Sequence, residues 1–387
     1  METREIKERI RQMEEKHLSV IQGSLIGGAV GDALGYAVEF ISWDAIRKRF
    51  GEGGIQEYEL DLNAGEAIIS DDTQMTLYTA NALLFGFTRG ALRGIMAEPE
   101  CYIHRAYEDW YHCQWNMDLP ENNTSWLSDV PEMHARRAPG NTCLSALHSG
   151  RMGTIEEHIN NSKGCGGVMR VAPIALYFKG KQDIERVMML GAKAAAITHG
   201  HPLAYISSAA LVHIVSRAAF GGCKYEDGLR GIVRECNELL REIFGDETHM
   251  KHTERMIEIL EQAAQLSLNN DADVDNIKRI GEGWIGEEAL GIAVYCCLKY
   301  PDDFSKAIIA SVNHSGDSDS TGAIAGNILG AWLGMEGIGR KWLNKLECRD
   351  VILEIAKDLC DECQMSEYGT YRDPDWLRKY VHCRWKE

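Results

Sequence analysis

Ser70-Asp71-Asp72-Thr73 and Asp317-Ser318-Asp319-Ser320-Thr321 each set carboxylates beside hydroxyls, next to a helix-like apolar or small-residue run. The first run contains Met75, Leu77 and Tyr78, the second Ala323, Ile324 and Ala325. Carboxylates beside core-forming segments are costly unless they are paired, hydrogen-bonded or bound to a cation. One acid at a helix N-cap is ordinary, because its oxygen satisfies a free backbone N–H at the positive end of the helix dipole. That role does not account for Asp71 next to Asp72, whose charges repel. Four carboxylates with flanking hydroxyls offer the all-oxygen cage that hard divalent cations such as Mg²⁺ or Mn²⁺ prefer. The expected protein is a metal-dependent enzyme.

Other segments could hold a ligand beside such a cage. Ser162-Lys163-Gly164-Cys165-Gly166-Gly167-Val168 lacks the residue order of a Walker loop, yet it offers unhindered backbone N–H groups suited to a phosphate or diphosphate. Glycine-rich turns also occur without any ligand. Thr198-His199-Gly200-His201 places His199 to contact phosphate or sugar, while His201, His213 and His314 read as satisfied core histidines. Trp284, set between Gly283 and Ile285-Gly286, could lie against a base or sugar, or simply pack under a loop. Asp317-x-Asp319-x-Thr321 imitates a calcium loop, but its twelfth residue is Ile328 rather than Glu. Asp271-x-Asp273-x-Asp275 has Glu282 at that position, with Asn276 in place of glycine, and reads better as a solvated acidic linker. Cys360 and Cys363 form a CxxC with no second pair at matching spacing, so zinc is not expected.

The positioning elements are helical nearly throughout. Apolar residues recur at helical spacing, strand-like alternation is scarce, and no low-complexity linker divides the chain. Residues 2–17 form an amphipathic helix with Ile6, Ile10 and Met13 on one face. Residues 20–40 follow as a segment with Gly23, Gly27, Gly28, Gly31 and Gly35; such spacing predicts a close approach of backbones, since glycine otherwise weakens a helix. Further helices are expected near 72–86, 97–112, 142–150, 183–199, 202–219, 227–244, 250–267, 285–299, 303–313, 319–334 and 348–363. The stretch 113–141, with Pro120, Pro131, Pro139, Trp115 and Trp126, reads as an irregular insertion. The reading is an N-terminal helical extension, 1–19, and one compact all-α domain, 20–387, an orthogonal bundle of many helices.

A net charge of −17 excludes a nucleic-acid partner in this reading, because no basic stripe is available to displace phosphate counterions. It also disfavours an anionic membrane, and no apolar run is expected to reach bilayer-spanning length. The 12 cysteines sit among core-type residues and no signal peptide precedes them, so a reducing cytoplasm is the expected setting.

Together these segments resemble the ADP-ribosylglycohydrolase family. The resemblance rests on Gly31-Asp-Ala-Leu-Gly35 with Glu39, Ser70-Asp-Asp-Thr73, Gly140-Asn-Thr-Cys143, Lys163-Gly-Cys-Gly-Gly-Val-Met-Arg-Val-Ala-Pro173, Thr198-His199, Gly283-Trp284 and Asp317-Ser-Asp-Ser-Thr-Gly322. These are collinear over roughly residues 20–335. The resemblance implies an all-α fold with a central binuclear metal cleft holding two Mg²⁺ or Mn²⁺ ions. It implies that Ser70, Asp71, Asp72, Asp317, Asp319 and Ser320 bind the metals, with Glu39 at the site. Ser162, Lys163, Gly164, Cys165, Gly166, Gly167 and Val168 would cradle the diphosphate of ADP-ribose, and His199 and Trp284 would line its groove. Glu39 or Asp72 would be the catalytic base. Cys165 stands where some relatives carry asparagine, and Ser70 and Ser320 where others carry threonine. The implied activity is removal of ADP-ribose from a modified protein, arginine-linked by the wording of the motifs. Serine-linked or O-acyl-ADP-ribose is the alternative substrate, and steric blocking of an ADP-ribosyltransferase is a different kind of role.

Overall fold

The computed structural model describes residues 2–119, 121–180, 182–221 and 227–384. Its helices, in chain order, begin with α1 (Glu2–Tyr36), α2 (Trp43–Phe50), α3 (Asp71–Arg93), α4 (Pro99–Gln114), α5 (Asn141–His148) and α6 (Ala172–Phe178). There follow α7 (Ile184–Ala196), α8 (Pro202–Phe220), α9 (Leu229–Phe244), α10 (Met250–Leu266), α11 (Asp273–Ile280) and α12 (Gly286–Lys299). The last are α13 (Phe304–Val312), α14 (Ser318–Leu333), α15 (Arg340–Leu343), α16 (Arg349–Asp361) and α17 (Pro374–Tyr380). Among the described residues, β pairing is confined to two isolated bridges.

The central feature is the antiparallel pairing of α1 with α14. A Cβ placed on Gly23, Gly27 or Gly31 would lie 2.3, 2.4 or 1.9 Å from the carbonyl oxygen of Gly330, Gly326 or Gly322. On Gly35 it would lie 2.2 Å from the Ser318 carbonyl. Four helical turns of α1 thus lie directly against the α14 backbone, as the glycine spacing predicts. The antiparallel sense brings the C-terminal end of α1 to the N-terminal end of α14, where the second acidic motif begins.

Several expectations change at the level of elements. Residues 2–17 and 20–36 are one unbroken helix with no boundary at residue 19; Ile6, Ile10 and Met13 are exposed on its first part, and Ile21, Leu25 and Ile26 are buried on its second. Glu8–Tyr36 and Pro202–Phe220 do reach the length and hydropathy of a bilayer span, contrary to the expectation from sequence. In each helix the most apolar 18-residue window is mostly buried within the protein, 83% and 89% of it, so the apolar parts of both pack inside the fold. The acidic stretch at 271–275 is no calcium loop: Asp273 opens α11 and accepts from Tyr295 (2.6 Å) and Tyr300 (2.8 Å). The insertion is ordered by joining the main core, with Trp126, Leu127, Val130 and Met133 fully buried.

Candidate active site

The first acidic motif starts α3. Ser70 is its N-cap and accepts from the Asp72 N–H at 3.2 Å. A fully buried carboxylate, Asp32 of α1, braces this turn by accepting from the N–H groups of Ser70 (3.0 Å) and Thr73 (3.1 Å) and from the Thr73 hydroxyl. Asp32 lies inside a motif that the sequence singles out, but its bracing role follows only from α1 meeting α3. The end of the insertion closes over the same turn. Gly140 donates its N–H to Asp71 at 3.3 Å, and Arg137 pairs with Glu347 and donates to the Ile69 carbonyl at 3.1 Å.

The second motif starts α14. Asp317 is the N-cap and accepts from the Ser320 N–H (3.3 Å), which also reaches Asp319 at 2.9 Å. Glu39, in the turn after α1, has a carboxylate oxygen within 4.8 Å of ones on Asp317 and Asp319. The Ser70 side chain is near enough to Asp319 to favour its ionised form, so the two motifs come together. Asp71, Asp72, Asp317 and Asp319 are each at most 4% exposed.

The electrostatics of this cluster are unbalanced. Burial, and then the charge of Asp319, push Asp32 up to about 7 and Glu39 up to about 11. The same two causes raise Asp71 and Asp72 well above the ordinary carboxylate range; Asp319 rises through burial and the neighbouring Asp317. Two basic groups on the neighbouring segments are engaged elsewhere, Arg137 with Glu347 and Lys163 with Glu287 at 3.0 Å. One carboxylate oxygen of Asp72 and one of Glu39 are buried with no hydrogen-bond partner. Crowded, buried, unpaired carboxylate oxygens with serine hydroxyls among them suit hard divalent cations, and the donor set fits the metals expected from sequence.

The glycine loop lies against this cage. It pairs with the segment before α12: Cys165 donates its N–H to the Trp284 carbonyl (3.2 Å) and Gly286 donates to the Lys163 carbonyl (2.9 Å). The Gly164 N–H bonds the Ser162 hydroxyl at 3.3 Å, so two donors expected to face a diphosphate are used within the protein. The Cys165 side chain donates to Asp317 at 2.7 Å. His199 is 2% exposed and lies beneath the loop rather than along an open groove. A Cβ on Gly166 would come within 3.1 Å of its ring. Burial and the Arg170 guanidinium lower His199 to about 3, so the ring is neutral. Trp284 is 38% exposed and stacks on Phe40, with ring centroids 5.5 Å apart and planes 20° apart.

The helical fold, the buried acidic cluster and the adjoining glycine loop agree with one family match. The family model described as ADP-ribosylglycohydrolase spans residues 13–369, and the chain belongs to that family. It is a glycohydrolase of that type. The ADP-ribosyl-dinitrogen reductase glycohydrolase of Rhodospirillum rubrum is 26% identical over 337 residues, covering 84% of this chain and 90% of that protein. The ADP-ribosylarginine hydrolase Tri1 of Pseudomonas putida is 24% identical over 357 residues, covering 90% of this chain and 79% of that one. The ADP-ribosylhydrolase ARH3 of Homo sapiens is 27% identical over 205 residues, which is 48% of this chain and 54% of that one. A solved structure entitled ADP-ribosylglycohydrolase-related protein complex superposes with a TM-score of 0.61 at 22% identity. It covers 90% of this chain and 99% of the other, a likeness of fold.

Proposed function

We propose that the protein hydrolyses the α-N-glycosidic bond between ADP-ribose and an arginine side chain of a modified protein. The observation that carries this reading is the buried carboxylate cage, with free oxygens on Asp72 and Glu39, joined to the glycine loop where the Cys165 thiol donates to Asp317. Arginine is favoured because the relative named for arginine matches 90% of this chain, whereas the match to ARH3 spans 48%.

Ser70, Asp71, Asp72, Asp317, Asp319 and Ser320 would hold two divalent cations, Mg²⁺ or Mn²⁺, with Glu39 beside them. When bound, these ions supply Lewis-acid polarisation and a template for the ribose hydroxyls and a water. With cations bound beside them, which would offset the charge crowding that raises these groups and leave them ionised, the free oxygen of Glu39, or that of Asp72, would accept the proton from the attacking water. The surrounding carboxylates stabilise the positive charge that an oxocarbenium-like transition state places on the sugar. Gly166 and Gly167, within the Cys165–Gly167 turn, present N–H groups to the diphosphate, and this remote binding orients the reacting ribose. His199 acts as the floor of that loop.

Asp72→Asn and Asp317→Asn are each expected to lower release of ADP-ribose from arginine-modified protein by at least about 100-fold, on the scale of losing a transition-state electrostatic group. Undiminished release from both variants would refute the site. Serine-modified and O-acyl substrates assayed in parallel decide the linkage. A role in blocking a transferase is supported only by the exposed Ile6, Ile10 and Met13 face. Truncation of residues 1–19 that removes protection while sparing hydrolysis would favour it.

A further inference from the structure

Phe40 is 68% exposed and has a φ of +63°, a conformation that bulky side chains rarely adopt. Strain of this kind persists only where the surroundings impose it, and it gathers at ligand clamps and active sites. Phe40 directly follows Glu39, and its ring reaches across to stack on Trp284. Trp284 is fixed from the other side. Its carbonyl accepts from Cys165, and Gly283 before it, at φ +84°, sits so close that a Cβ there would be 3.4 Å from Asp317. The stacked pair therefore joins the residue that follows Glu39 to the residue that follows Gly283, whose backbone packs against Thr321 and Asp317.

We propose that Phe40 and Trp284 form the subsite for the departing side chain, and that the group they recognise is a planar cation, the guanidinium of arginine. This rests on the hydrolase reading above and specifies its substrate. The bond that breaks lies at the reacting ribose, over the acidic cage, so the leaving side chain is the part of the substrate that emerges past Glu39. Exposed aromatic faces carried on the segments that flank buried carboxylates attract a cation twice, through the ring quadrupole and through the negative charge nearby. A guanidinium stacks flat on such a face; a serine oxygen or an acyl ester gains nothing from it.

The test uses the full chain with Mg²⁺ or Mn²⁺ and compares Phe40→Ala, Phe40→Leu and Phe40→Tyr. The measured quantities are kcat/KM on arginine-linked and serine-linked ADP-ribosyl peptides and the affinity for free ADP-ribose, which lacks the departing group. Phe40→Ala and Phe40→Leu are expected to lower the arginine-to-serine ratio of kcat/KM by about 5- to 30-fold, the scale of a lost cation–π contact. Phe40→Tyr restores the ratio, and affinity for free ADP-ribose stays within about twofold, because none of its atoms meets the ring. An unchanged ratio overturns the proposal, as does an equal loss of affinity for free ADP-ribose, which would assign the pair to the nucleotide. A wild-type enzyme that cleaves only the serine linkage overturns the proposal but leaves the hydrolase reading intact. A wild type that cleaves neither linkage ends both.

Discussion

Gly31 and Gly322 face each other so closely that a Cβ on the first would fall 1.9 Å from the carbonyl oxygen of the second. The contact sits between Asp32, which braces the start of α3, and Asp319, which opens α14. Metal-site geometry and helix packing are therefore one problem in this fold, since any widening of the glycine seam moves the two acidic motifs apart.

Gly31→Ala is expected to destabilise the protein by about 3 kcal/mol or more, the upper range of overpacking, because the obstacle is backbone and cannot turn aside. Divalent-ion affinity falls with it. Gly339→Ala is the control: its Cβ would first meet Trp342 at 3.9 Å, so a change within about 0.5 kcal/mol is expected. Chemical denaturation and calorimetric ion titration of both variants check this. Equal stability of the two variants would remove the seam from the account.

Ion binding should be visible in stability as well as turnover. An ion at about 100 times its dissociation constant adds about 2.7 kcal/mol by mass action, so a chelator lowers the thermal midpoint. Asp72→Asn removes one of the crowded charges and is expected to leave the chelated protein as stable as the wild type or more so, while abolishing the ion-induced rise. Retention of the full rise in Asp72→Asn would show that this carboxylate is no ligand.

His199 supplies a pH signature separate from the ions. Its folded-state value is about 3, below the ordinary imidazole range. The unfolded chain therefore takes up a proton below about 6.5 that the folded chain refuses. Stability from this residue is present above about pH 6.5 and is lost as pH falls toward 3, amounting to about 2 kcal/mol lost by pH 5. His199→Asn should have a flatter stability profile between pH 7.5 and 5, measured by urea unfolding. A profile parallel to the wild type would mean that the ring is protonated in the folded protein.

Much of the site was legible because its chemistry is local in sequence. Asp71 beside Asp72 has no comfortable role without a cation, and Ser70 is the cap that its residue type suggests, whereas the cap of α14 is Asp317 rather than Asp319. The glycines of α1 announced a close approach but could not name its partner. Asp32 stood within a recognised motif, yet its partners Ser70 and Thr73 lie about forty residues on, and no periodicity reports such a contact. Nor could sequence show that the Cys165 thiol turns toward Asp317, that His199 lies under the loop, or that Phe40 accepts a left-handed backbone to reach Trp284. Those outcomes depend on where separate helices end, which packing sets.

Taken alone, the order of residues determined the helical class, the acidic motifs, the glycine loop and the family, because each depends on neighbours within a few positions. Only the tertiary structure decided which carboxylates share space and which lose water. A carboxyl group's protonation and its appetite for a cation depend on burial and on charges a few ångströms away, and both are set by the antiparallel docking of α1 on α14.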